Sequence, residues 1–110
     1  MTSNVQIENP EDTKLVTLAT NTLARSGASQ AAALRDTTGR TYVAINVASP
    51  ALTLDAFEAV LTVALASGIT GIESVVATGD QPANIEAIKG FAPKATVFYI
   101  DSTGAINAIN

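Results

Sequence analysis

Two periods of apolar residues alternate along this chain, and the switches between them outline its elements. After a polar, acidic opening, Leu15, Leu18, Ala19, Thr22 and Leu23 recur at helical spacing, with Pro10, Glu11 and Asp12 ahead of them and Gly27 behind. Acidic residues suit a helix start and Gly suits its stop, so a first helix is predicted from Pro10 to Gly27. Ala31 to Leu34 is a short run of small apolar residues, and Asp36 to Gly39 reads "DTTG", a turn with Asp first and Gly last. From Thr41 to Val47 the pattern has period two: Thr41, Val43, Ile45 and Val47 on one face, Tyr42, Ala44 and Asn46 on the other. These two runs predict a β-hairpin. Farther on, Ile72 to Thr78 predicts a strand, Ile85 to Phe91 a short helix, Ala95 to Ile100 a buried strand, and "AINAI" a last strand after a second turn, "DSTG". Residues 1–10 are expected to be a tail, and residues 11–110 a single domain.

The segment Leu52 to Gly68, "LTLDAFEAVLTVALASG", behaves differently. It has the length of a helix, yet Asp55, Glu58 and Thr62 form its only polar line. A helix apolar on nearly every side is covered on nearly every side. A small monomer should leave one helix face to water, so a homo-oligomer is expected. The predicted order is α-β-β-α-β-α-β-β. Strands separated by helices imply parallel crossovers, and hairpins add antiparallel strands. The expected fold class is therefore α/β: a three-layer α/β/α sandwich around a mixed sheet of about five strands.

Composition narrows what such a fold could do. Apolar residues make up 47% of the 110 residues and charged ones 15%, which fits a packed core and excludes disorder. The net charge is −4, and Lys14, Arg25, Arg35, Arg40, Lys89 and Lys94 are scattered. Phosphate backbones require clustered cations, so no nucleic-acid partner is expected. No uncharged apolar run reaches about 18 residues, so no membrane span is expected. The opening "MTSNVQIENPED" lacks a basic stretch followed by an apolar one, and a cytoplasmic protein is the default expectation. The chain has no Cys and no His. It therefore has no thiolate nucleophile, no imidazole base and none of the tightest zinc ligands. No cofactor and no metal are expected.

Four residues are candidates for chemistry. Asp55 and Glu58 are three apart and share a helix face. They read either as an acid–base pair or as acids drawn to a helix N-terminus. Phe57 reads as a stacking platform or as core. Asn46, at a strand end, could bond a ligand hydroxyl or local backbone groups.

The order and spacing of these segments resemble the zinc-dependent cytidine deaminases. Members of that family carry "G-A-A-L", a turn, a strand ending "N-x-E" and a helix opening "C-A-E". Here Ala31-Ala32-Ala33-Leu34, Thr38-Gly39, Asn46 and the helix end Ala64 to Gly68 take the corresponding places. The resemblance runs from about residue 12 to the end. In the family, a Cys or His at the central helix and a "P-C-x-x-C" motif hold zinc, and a Glu moves the proton. This chain departs at each of those points. Matching backwards from Gly68 puts Asp55 at the ligand position and Phe57 at the Glu position. Ala48 stands at the strand-end Glu, and "GDQPANIEAI" has Pro82 but no Cys. In that register Phe57 is expected to fill the vacated pocket. Glu58, turned about 100° further round the helix, is expected to point away. The resemblance thus implies a non-catalytic cytidine deaminase homologue, an oligomeric (dimeric or tetrameric) structural, regulatory or nucleoside-like-ligand-binding protein. The alternative is an enzyme with metal-independent chemistry built on Asp55 and Glu58.

Overall fold

The computed structural model describes residues 2–109. Helix α1 (Pro10–Ser26) begins where the sequence signals place it. The Asn9 side chain accepts a hydrogen bond from the Glu11 amide at 2.9 Å, Pro10 opens the first turn, and Glu11 and Asp12 follow. Gly27 ends the helix in the left-handed region (φ 69°) and donates its N–H to the Leu23 carbonyl, a conformation glycine adopts at little cost.

Strands β2 (Gln30–Asp36) and β3 (Thr41–Ile45) form the expected hairpin. Its turn is knotted by Asp36: Oδ1 accepts from the Thr38 amide (3.0 Å), the Thr38 hydroxyl (2.7 Å) and the Arg40 amide (2.9 Å). The Thr38 hydroxyl, followed by the two amides and the Arg40 charge, holds the Asp36 carboxyl below its ordinary pKa. Next comes a small ladder of β4 (Val47–Ala48) and β5 (Thr53–Leu54), then helix α2 (Ala56–Ala66). Strand β6 (Ile72–Gly79), helix α3 (Ile85–Phe91), strand β7 (Thr96–Ile100) and strand β8 (Ile106–Ile109) complete the chain.

The main sheet has the order β1-β8-β7-β6-β2-β3, where β1 is Thr2–Asn4. That edge strand corrects the expectation of a tail over residues 1–10: it pairs antiparallel with β8. It also brings the sheet to six strands where about five were expected. Among the described residues only β6 and β7 are parallel neighbours, joined through α3. The hairpin partner β2 sits between β3 and β6 and runs antiparallel to both. The crossover through α2 therefore passes over β2, which fills the space a parallel neighbour would have taken.

The three layers follow from period-two alternation in the strands. Ala33, Val76, Phe98 and Ile100 face α1, where Leu15 and Ala19 are fully buried. Ala32, Leu34, Val75, Ala77 and Val97 face α2 and α3, where Phe57, Val60, Ala64 and Ile88 are fully buried. The run Ala31–Ala33, fully buried, presents methyl groups on both faces, and this lets helices lie close to the middle of the sheet. One charged group enters the α1 layer. Arg35 stands 2.9 Å from Asp12 of α1 and 2.7 Å from Glu73 of β6.

Candidate functional site

The first turn of α2 carries the site. Asp55 caps the helix: its Oδ1 accepts from the Glu58 amide at 2.9 Å, and the Glu58 Oε1 accepts from the Asp55 amide at 2.9 Å. This reciprocal capping box is what Asp followed three residues later by Glu encodes. The other Asp55 oxygen accepts from the Asn84 amide at 2.7 Å, just ahead of α3. One carboxylate thus ties together the starts of two helices from distant parts of the sequence. Another helix-start amide, that of Ala56, donates to the Gln30 side chain at 3.0 Å. The Gln30 amide in turn donates to the Asn46 Oδ1 at 3.0 Å. Gln30 thus links Asn46 to the Ala56 amide, next to the Asp55–Glu58 capping box, across the ends of β2, β3 and α2.

Behind Gln30 the backbone is pressed against the end of β6. Gly79 has φ 93°, and a Cβ there would lie 2.2 Å from the Ser29 carbonyl oxygen, so only glycine fits. The Asp80 amide donates to that same carbonyl at 2.8 Å, and the Tyr99 hydroxyl donates to the Gly79 carbonyl. Burial, with Asp101 and Asp80 adding their charge, raises the Tyr99 pKa and keeps it a donor.

Gln30, Asn46, Asp55 and Glu58 line an open cavity of about 410 Å³, with Ser29, Gln81, Asn84 and residues of the β4–β5 ladder completing the wall. Two expectations are corrected here. Phe57 does not fill the cavity; it is fully buried in the core between α2 and the sheet. Glu58 does not point away; it lines the cavity beside Asp55. Asp55 sits just outside the helix as its cap, so the first-turn position that faces the cavity falls on Glu58, one residue later than the match from Gly68 assigned. Asn46 accepts from the Gln30 amide, sixteen residues away, and lines the cavity. Gln30, Gln81 and Asn84 were not among the candidates. Gln30 opens a strand and the other two lie in a breaker segment, and no spacing in the sequence links them.

The donors here are amides and carboxylates. Both Asp55 oxygens are engaged by backbone amides, and neither nitrogen of an imidazole nor a sulfur is within the wall. Among the described residues no three His, Cys, Asp or Glu side chains converge to hold a metal. The residues do not fit the soft three-ligand zinc centre of the deaminases. A second cleft of about 330 Å³ opens at the far end of α2, lined by Asp36, Thr38, Arg40, Tyr42 and residues 67–70. Oδ1 of its carboxylate, Asp36, accepts three bonds from the Thr38–Arg40 turn. No helix among the described residues is long and apolar enough to cross a membrane.

Comparison with known proteins agrees with this geometry. No curated protein matches the chain. Sixteen chains of solved structures do. One is the crystal structure of cytidine deaminase from Mycobacterium leprae, with a TM-score of 0.68 and 18% identity over 89% of this chain and 92% of that one. A similarity at that identity speaks for the fold. The sequence model of the family described as cytidine deaminase-like matches residues 8–104, nearly the whole chain, and the chain therefore belongs to the cytidine deaminase-like family.

Proposed function

We propose that this chain is a non-catalytic member of its family that binds a small, polar, nucleoside-like ligand and works as a homo-oligomer in the cytoplasm. The observation that carries the reading is the open cavity lined by Gln30, Asn46, Asp55 and Glu58, with Phe57 withdrawn into the core. A chain kept only for its packing would have no need of an unfilled polar wall. Carboxamides and carboxylates offer both donors and acceptors, which suits the hydroxyls and ring edges of a neutral ligand. No basic side chain lines the cavity, so a phosphate has no counter-charge there. The missing Cys and His, and the full engagement of Asp55, support the absence of zinc chemistry.

A thermal-shift screen against nucleosides, nucleotides and bases tests the binding reading, because a ligand held only by the native state raises the Tm. Nucleosides are expected to raise it more than their phosphates. No shift from any nucleoside or base at millimolar concentration would reject the reading. A second reading rests on one observation: Glu58 lines the cavity, and of its two carboxylate oxygens only Oε1 accepts a hydrogen bond among the described residues. That free oxygen is what a metal-independent general base would need. Deamination or hydrolysis of a nucleoside that disappears in Glu58→Gln would favour this alternative over the non-catalytic one.

A further inference from the structure

The outer side of β3 is an open sheet edge with no device protecting it. In the β2–β3 ladder the Asp36 amide donates to the Arg40 carbonyl (2.9 Å) and the Asn46 amide to the Gln30 carbonyl (3.3 Å). The register runs Leu34 opposite Tyr42 and Ala32 opposite Ala44 between them. Hydrogen-bonded pairs alternate in an antiparallel ladder, so Arg40, Tyr42, Ala44 and Asn46 direct their N–H and C=O groups inward to β2. Thr41, Val43 and Ile45 direct theirs outward. None of those outward groups has a backbone or side-chain partner among the described residues. Natural edges are blunted by charge, proline, bulges or brevity. The segment "TYVAI" has no charge and no proline, and its register is unbroken. At the other end of the sheet, β1 is only 3 residues long.

We infer that β3 pairs antiparallel with β3 of a second copy about a two-fold axis at Val43, joining two six-stranded sheets into one. This rests on the homo-oligomer reading and names the surface that builds it. The edge is self-complementary at that axis. Val43 faces Val43 of the second copy, and Thr41 faces its Ile45, so every outward group finds a partner and about six backbone hydrogen bonds form. Thr41 and Ile45 are both exposed, and no like charges oppose one another across the seam. The flanks match in charge as well. Arg40, exposed and without an ion pair among the described residues, is carried by this register to Asn46 of the second copy. Asn46 shares its cavity with the carboxylates of Asp55 and Glu58. A heterologous strand would satisfy the backbone equally, but it would not require this symmetric register.

Two experiments on the full chain separate the surface from the general assembly reading. Light scattering should give an oligomer for the native chain, and T41K/I45K should halve its mass, because two Lys–Lys pairs then face each other across the seam. T41E/I45E should do the same, and mixing the two variants should restore the larger species through Lys–Glu pairs. Both positions are exposed, and retained circular dichroism and Tm check the fold. A monomeric native chain at high micromolar concentration would overturn both the assembly reading and this surface. An oligomer whose mass ignores the charges would overturn the surface alone. The second experiment needs no loss of assembly. In a chain with no cysteine of its own, Val43→Cys places two thiols at the axis with Cα atoms about 5.5 Å apart, within reach of a disulfide. Oxidised V43C should run as a covalent dimer. T41C, whose copies lie more than about 13 Å apart along the strands, should remain single. Equal cross-linking of the two variants, or none in V43C, would refute the register.

Discussion

Two acidic clusters flank the sheet, one on each face, and they are compensated in opposite ways. On the α1 face, Asp12 is buried against the Arg35 guanidinium, which also reaches half-exposed Glu73. On the α2 face, Asp55 and Glu58 form no ion pair among the described residues; backbone amides at the starts of α2 and α3 hold them. The first arrangement closes on itself. Burial works against the Arg35 charge, but Glu73 and Asp12 outweigh it and its pKa rises. The second arrangement engages both Asp55 oxygens but only one Glu58 oxygen, and leaves the remainder of Glu58 to the cavity. A cation neutralises an acid and ends its chemistry, whereas helix amides orient an acid and leave part of it free.

The largest effect should come from breaking the closed cluster. Arg35→Ala strands buried Asp12 without its partner and is expected to cost about 3–5 kcal/mol in urea unfolding, with a second change, Asp12→Leu, recovering most of it. If the single variant unfolds at native midpoint, the α1-face cluster contributes only solvent-screened attraction. Next in size, Asp55→Ala removes the cap of α2 and the tie to Asn84, for about 1–2 kcal/mol by the same measurement. Asp55→Asn, which retains acceptor capacity, should lose less. Glu58→Gln should change stability by under about 0.5 kcal/mol, since Gln also completes a capping box. Any nucleoside-induced rise in Tm should nevertheless shrink in that variant. Stability and binding would then part company at one residue, which is the distinction between the two faces.

The smallest effect concerns a third mode of compensation, by hydroxyls. Asp36 and Asp101 each accept from a Thr two residues on: Thr38 at 2.7 Å and Thr103 at 2.6 Å. Led by those hydroxyl bonds, both carboxyls are held below the ordinary 3.8. The sign follows from linkage: a depressed folded-state pKa stabilises above the unfolded value, and that stabilisation fades as pH falls through it toward the folded one. The Tm should therefore drop between about pH 5 and pH 3, and T38V/T103V should show a shallower drop.

Legibility in the sequence tracked the range of the interaction involved. The capping signals at Pro10–Asp12 and Gly27, the Asp–Thr–Gly turns and the period-two strands act over a few residues, and they lie where the pattern placed them. The neighbour relations of strands were harder. That β2 would enter antiparallel between β3 and β6, or that Thr2–Asn4 would add an edge, depends on which strand ends are free once the others have paired. Site register was the least legible. Glu58 lines the cavity while Phe57 is buried in the core, and side chains one residue apart on a helix face different surroundings.

Local chemistry was enough to determine the elements, their caps, the absence of thiol and imidazole chemistry, and an apolar central helix that demanded cover. That helix also shows where folding set limits. Val63 and Leu65 remain 43% and 44% exposed in the single chain, while Phe57, Val60 and Ala64 are fully buried. Only the tertiary structure decided that Gln30, Asn46, Asp55, Glu58 and Asn84 would meet at one cavity. They come from four separate segments, and beyond the three-residue spacing of Asp55 and Glu58 no sequence period connects residues whose proximity is created by the sheet order.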